Sequence, residues 1–181
     1  MKEIAGGVTA AKGFEAAGTE AAVKYKNRKD MALVYSTAPC KVAGTFTTNV
    51  VKAAPVLWDK QVVEKSAFAQ AVVVNSGIAN ACTGKPGMDC CMAEAEHAGK
   101  LLGIPADAVL VASTGVIGMQ MPVDRLCAGI DKLVAAKEAT LEAGLDAAKA
   151  IMVLSWDKDE ENNSPFAGAF ALPAFVRMPR A

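Results

Sequence analysis

Histidine is nearly absent from the 181-residue chain, aromatics make up only 6% of it, and neither sign of charge is in excess: 19 Lys and Arg face 19 Asp and Glu. Charge balance removes the electrostatic case for nucleic acid or an anionic membrane surface as partner. A lone histidine, His97, and no CxxC spacing disfavour zinc. The five cysteines, Cys40, Cys82, Cys90, Cys91 and Cys127, are an odd number without paired spacing, which fits reduced thiols better than a disulfide framework. No apolar run approaches the ~18 residues of a membrane span, and the start, Met1 to Gly7, has no secretory h-region. The expected setting is cytoplasmic. What is present is a chain about half apolar, enough to bury a core of one domain or one large fragment.

Residues 7–56 read as short extended pieces broken by Gly, Pro and Asn, with 31–37 the clearest strand. The polar run Lys24, Lys26, Asn27, Arg28, Lys29 and Asp30 is read as a solvated turn joining two strands rather than a basic patch. Two compact apolar runs, 71–75 and 109–113, have the pattern of buried central strands. After a turn around Lys85, Pro86 and Gly87, residues 88–102 carry helix formers and stop at Gly103, with Pro105 beyond. Strand, helix and strand in alternation predict an α/β layered fold. Two more helices are predicted. One, 122–136, sets Leu126, Ile130, Leu133 and Val134 toward the sheet; the other, 138–152, does so with Leu141, Leu145, Ala148 and Met152. From Val153 the chain turns acidic and turn-rich, then carries Pro165, Pro173 and Pro179 in a stretch with no sustained period. The expected organisation is therefore a main portion, 1–152, and a poorly ordered or loosely docked tail, 153–181.

Three groups invite a chemical reading. Cys90, Glu94 and His97 share one helix face, but side chains two turns apart stand about 10 Å from each other, too far for a thiol and its base. Gly6 and Gly7 belong to no phosphate-binding pattern. Residues 75–84 (Asn-Ser-Gly-Ile-Ala-Asn-Ala-Cys-Thr-Gly) gather amides, hydroxyls and glycines directly after a strand, where loops build sites. Ser113-Thr114-Gly115-Val116-Ile117-Gly118 also follows a strand, and a threonine hydroxyl beside a glycine amide offers two donors to one oxyanion, although Thr-Gly after a strand is commonly a turn.

Four ordered motifs together resemble the ornithine acetyltransferase family. They are Gly7-Val8-Thr9-Ala10 with Lys12-Gly13-Phe14 and Ala16-Ala17-Gly18; Gly44-Thr45-Phe46-Thr47-Thr48-Asn49 with Val51-Lys52-Ala53-Ala54-Pro55-Val56; Val74-Asn75-Ser76-Gly77 with Ala79-Asn80-Ala81-Cys82-Thr83-Gly84; and Ser113 to Gly118. The resemblance implies a layered mixed α/β sandwich of the self-cleaving type, here incomplete. It implies a precursor cut before a threonine into α and β chains, and acetyl transfer from N-acetylornithine to glutamate through that threonine. No cofactor is called for, although some members accept acetyl-CoA as donor. Thr114 and Gly115 match the family's oxyanion-stabilising pair; Asn75 and Asn80 fall in a loop near the cleft, with no catalytic role assigned.

The departures from the family pattern are specific. Ile78 stands where the family has a second asparagine. After Ala150-Ile151-Met152 a Thr-Thr-Asp segment is replaced by Val153-Leu154-Ser155-Trp156-Asp157, and neither a Lys-Gly-Ser-Gly segment nor an Ala-Thr junction follows. The expectation is an α-chain-like portion, inactive alone, working as a hetero- or homo-oligomer completed by a β-like chain that supplies the threonine. The alternatives are a non-catalytic truncated, frame-shifted or repurposed binding domain, and a related self-processing amidase or aminopeptidase.

Overall fold

The computed structural model describes residues 7–66 and 68–152 and the backbone of 175–177. Its sheet is mixed, with strands β1 (Phe14–Thr19), β2 (Met31–Ala43), β3 (Phe68–Asn75) and β4 (Val109–Ser113) side by side in that order. β1–β2 and β2–β3 are antiparallel, while β3 and β4 run parallel, Asn75 opposite Ser113. A short β5 (Phe175–Arg177) pairs with Lys41–Ala43 of β2. The other expectations for the segment after Met152 lie outside the described residues. This is the mixed α/β architecture that the sequence predicts. β2 is longer than the predicted 31–37, running on through a register shift between Tyr35 and Cys40. The basic run 24–30 lies, as read, in the connection from β1 to β2.

Helices cover both faces. Odd-numbered residues of β2, β3 and β4 (Met31, Leu33, Ala71, Val73, Val109, Val111) meet α2 (Gly84–Leu102) and α3 (Val123–Ala136) through Cys90, Cys91, Ala95, Ala98, Leu126, Ile130 and Leu133. On the opposite face Ala16 and Ala32 meet α4 (Leu141–Ile151) through Ala147 and Ala150. Alternation of strand side chains with period two makes both contacts from one sheet. α2 begins four residues earlier than predicted, because Lys85, Pro86 and Gly87 form its first turn, where proline's missing N–H has no intrahelical partner to lose. It stops where predicted, at Gly103, which takes the left-handed conformation (φ +69°).

α4 corrects two expectations. Glu138 is not helical: its backbone pairs with Ala16 on the outer edge of β1, and the helix starts after Thr140, whose Oγ1 accepts from Ala143 N at 3.1 Å. The buried stripe is Ala143, Gly144, Ala147 and Ala150, whereas Leu141, Leu145 and Met152 face outward. The cause is backbone proximity. A Cβ on Gly18 of β1 would lie 2.1 Å from the Asp146 carbonyl oxygen, so only small helical side chains fit between strand and helix.

One helix, α1 (Ala54–Lys65), has no counterpart in the sequence reading. It lies along β4, which is expected to be central but is terminal among the described strands. Trp58 Nε1 donates to Val109 O at 2.9 Å, and Val111 N donates to Asp59 Oδ1 at 2.9 Å. These side chains take the place of a neighbouring strand, which explains how all five residues of a margin strand are buried.

Candidate functional site

β3 and β4 end side by side, so the two loops that follow them are brought together at the carboxyl ends of the parallel pair, where open α/β sheets form ligand crevices. The loops are joined along their length. Thr114 N donates to Asn75 O at 3.0 Å, Val116 N to Gly77 O at 3.2 Å, and Ala79 N to Val116 O at 2.9 Å. Gly115 is required there: its φ is +133°, and a Cβ would come within 2.3 Å of the Gly77 carbonyl carbon.

Side chains lock the same pair. Ser113 Oγ donates to Ile78 O at 3.1 Å and accepts from Asn80 N at 2.7 Å, and Asn75 Nδ2 donates to Ile78 O at 2.8 Å. Ile78 therefore serves the loop through its main-chain oxygen while its side chain is buried in the main core. That is why an apolar residue is tolerated where the resemblance expects asparagine. Asn80 is a fully used hub: Nδ2 donates to Gly87 O at 2.8 Å and to Cys91 Sγ at 3.3 Å, Oδ1 accepts from Thr83 Oγ1 at 2.6 Å, and its backbone oxygen accepts from Ala54 N at 3.2 Å. It ties the loop to the starts of both α2 and α1.

Thr114 is only 5% exposed, and its Oγ1 has no hydrogen-bond partner among the described residues; the same holds for Oδ1 of Asn75, which is 0% exposed. A buried polar atom left unpaired costs about 1–3 kcal/mol, and such atoms mark places where a fold gives up stability. Here two of them sit on residues already joined by a backbone hydrogen bond. The sequence reading picked out Thr114 and Gly115, and the fold sets both beside the 75–84 loop.

Cys90, Glu94 and His97 do not form a catalytic group. His97 Nε2 lies 2.8 Å from Asp131 Oδ1 on α3, while Cys90 Sγ donates to Glu94 Oε1 at 3.4 Å inside the core. Burial, with the Glu94 carboxyl beside it, pushes the Cys90 thiol far above the usual thiol range, so it stays protonated. Burial likewise raises Glu94 to about 7, and Asp59 to about 7 against the opposing hydrogen bond from Val111. Asp59 was not singled out from sequence, since nothing local to it signals a buried carboxyl. A shallow surface depression lined by Gly18, Glu138, Glu142 and Asp146 lies on the β1–α4 side and includes neither Thr114 nor Gly115. No helix among the described residues is long and apolar enough to cross a membrane.

Comparison with known proteins accords with this geometry. The model of the ArgJ family matches residues 15–156. The arginine biosynthesis bifunctional protein ArgJ of Symbiobacterium thermophilum is 50% identical over 154 residues, 84% of this chain and 38% of that protein. Its namesake from Gloeobacter violaceus is 46% identical over 145 residues, 80% of this chain and 35% of that protein. The chain thus spans little more than a third of these curated relatives. Among solved structures, ArgJ from Bacillus halodurans superposes with a TM-score of 0.78 at 39% identity, covering 83% of this chain and 78% of that chain. Ornithine acetyltransferase from Mycobacterium tuberculosis, solved with ornithine, gives 0.78 at 43%, covering 83% and 80%. With the family model over most of its length, the same sheet and helices, and the four motifs in order, this chain belongs to the ArgJ family.

Proposed function

We propose that this chain forms the α-chain-like part of a glutamate N-acetyltransferase, which moves acetyl from N-acetylornithine to glutamate in arginine biosynthesis, and that a nucleophilic threonine comes from polypeptide outside this sequence. The observation that carries the reading is the buried, unpartnered Thr114 hydroxyl beside the Gly115 turn at the ends of β3 and β4. In the reaction the amide C–N bond of the donor breaks, an ester to the threonine oxygen forms, and the departing ornithine amine takes up a proton. Glutamate's amine then attacks the ester and frees the threonine. Splitting one transfer into two steps lowers the barrier of each.

Thr114 Oγ1 and Gly115 N donate to the acyl oxygen as its negative charge develops. Because Thr114 Oγ1 is shut off from solvent in this chain, donation requires the surroundings of the hydroxyl to rearrange when substrate arrives. No cofactor is needed, and acetyl-CoA enters only as an alternative acetyl donor. Coverage supports a divided enzyme: the chain matches 78–80% of the solved ArgJ-type chains but only 35–38% of the curated full-length relatives. The solved chains are therefore themselves shorter than half such a protein.

Acetyl transfer from N-acetylornithine to isotopically labelled glutamate, followed by mass spectrometry, tests the reading. We expect none from this chain alone and transfer when the carboxyl-terminal part of an ArgJ relative is co-expressed, with Thr114→Val lowering the complemented rate about 10²–10³-fold. Transfer by the chain alone would refute the partner requirement. A complemented rate indifferent to Thr114→Val would remove Thr114 from the mechanism.

A further inference from the structure

A glycine at the centre of a turn sets its own shape weakly, because φ of either sign is open to it. An oxyanion pair acts through donors fixed before the charge develops. The stiffness of Thr114 and Gly115 must therefore come from outside the turn, and the Thr114 hydroxyl contributes none of it, since Oγ1 has no partner among the described residues. The main-chain ties end on the opposite loop: Thr114 N on Asn75 O, Val116 N on Gly77 O, and Val116 O on Ala79 N. The turn is only as rigid as that loop, which carries a glycine of positive φ itself, Gly77 (φ +94°).

What fixes the loop is Asn80, 1% exposed. Its amide nitrogen donates to Gly87 O and Cys91 Sγ of α2, and its Oδ1 takes the Thr83 hydroxyl. With both N–H groups and the carbonyl engaged, the planar amide is held in one orientation. α2 closes on it so tightly that a Cβ on Gly87 would stand 2.4 Å from Asn80 Oδ1 and 2.0 Å from Thr83 Oγ1. One side chain carries this order across to β4. Ser113, next to Thr114 and 6% exposed, accepts from Asn80 N at 2.7 Å and donates to Ile78 O at 3.1 Å. Among the described residues no other side chain of 113–118 bonds the 75–84 loop.

We propose that Ser113 and Asn80 are positioning residues of the oxyanion turn: Asn80 sets the loop on α2, and the Ser113 hydroxyl carries that setting to Thr114 and Gly115. Both act through the turn rather than on the acyl group. That the turn serves an oxyanion rests on the acetyl-transfer reading above; that Ser113 holds the turn does not.

Amide hydrogen exchange on the full chain tests the tie, and acetyl transfer by the chain complemented with the carboxyl-terminal part of an ArgJ relative tests its use. In Ser113→Ala we expect exchange about tenfold faster at Thr114, Val116 and Asn80, the loss of one hydrogen bond, with Val73 of β3 unchanged. In the complemented enzyme kcat should fall about tenfold while KM for N-acetylornithine holds, as when an interaction made only in the transition state is lost. Ser113→Thr, which keeps the hydroxyl, should restore both readouts. Thr83→Val, which leaves Asn80 Oδ1 without its donor at nearly constant size, should move them the same way to a smaller degree, and decides the matter if Ser113→Ala does not fold. Unchanged exchange at Thr114 and Val116 overturns the proposal. So does quickened exchange with an unaltered kcat, since the tie then serves the fold alone. If the complemented parent transfers no acetyl, it is the acetyl-transfer reading that fails, and quickened exchange confined to 75–80 and 113–118 still assigns the holding of the turn to Ser113 and Asn80.

Discussion

Glu94 and Asp59 are carboxyls placed where charge is expensive: Glu94 is 1% exposed with Oε2 unpartnered among the described residues, and Asp59 is 2% exposed. Burial raises each to about 7 from ordinary values of 4.5 and 3.8. The sign of the consequence follows. Below pH ~4 both states are protonated and the groups are neutral to stability; between ~4 and ~7 the unfolded chain ionises while the folded chain does not, so stability falls as pH rises through that window. The loss is of order 3–4 kcal/mol per group, from ~1.4 kcal/mol per unit. Urea midpoints should be higher at pH 5 than at pH 8, and Glu94→Gln, which keeps the neutral shape, should flatten part of that slope; a slope unchanged in the variant would show that Glu94 is not its source. At the site, Gly115→Ala meets both a positive φ and the Gly77 carbonyl. A loss of about 1–3 kcal/mol is expected, read as a lower Tm with exchange-broadened amides across 75–80 and 113–118. Thr114 and Gly115 were legible beforehand through the resemblance of Ser113 to Gly118 to the family's motif; the apolar run before them marked only a strand's end, where Thr-Gly is commonly a turn. The buried roles of Asp59, Asn80 and Glu94 were not, because their partners, Val111, Gly87 and the core, are set by tertiary packing rather than by near sequence.

At the scale of elements, helix formers ending at a glycine stop located one helix and the apolar period located two more, yet the period misassigned a face and neither signal found α1. For α4 the largest apolar residues were taken to point inward; the close backbone of Gly18 makes size, not hydrophobicity, the selecting property there. α1 escaped notice because only Ala54, Pro55, Asp59 and Val62 are buried, so its sequence has little amphipathic contrast, and one of its inward residues is an acid. Its work at the margin of β4 is testable. Asp59→Ala leaves Val111 N without its acceptor at a buried edge, a cost of about 1–3 kcal/mol. Hydrogen exchange should then quicken at Val111 far more than at Val73 of β3, whose ladder is intact. Equal protection at both would mean that α1 merely covers the strand and that the hydrogen bond to Asp59 matters little.

At the scale of the whole molecule, the most exposed large apolar side chains among the described residues fall in two places. Val50 (96% exposed), Val51, Val116, Ile117 and Met119 lie in the segments that flank the site loop, since Ala54 N bonds Asn80 O and Gly118 N bonds Ala81 O. Leu141, Leu145 and Met152 (77% exposed) line the outer side of α4. Scattered exposed apolar residues are ordinary, but runs of them beside a site and along one helix are candidate surfaces for association. On the divided-enzyme reading proposed above, the remainder of an ArgJ protein, of which this chain spans little more than a third, supplies the material to cover them. Made alone, the chain should therefore associate with itself, giving sedimentation coefficients that rise with concentration. The two surfaces separate by mutation: Leu145→Lys relieves association through α4 without touching the site, whereas Ile117→Lys relieves association through the loop region and also weakens capture of a complementing half. Should both variants and the parent chain all sediment as one monomer at high concentration, these surfaces need no cover, and the chain stands as a self-contained domain rather than one side of a divided enzyme.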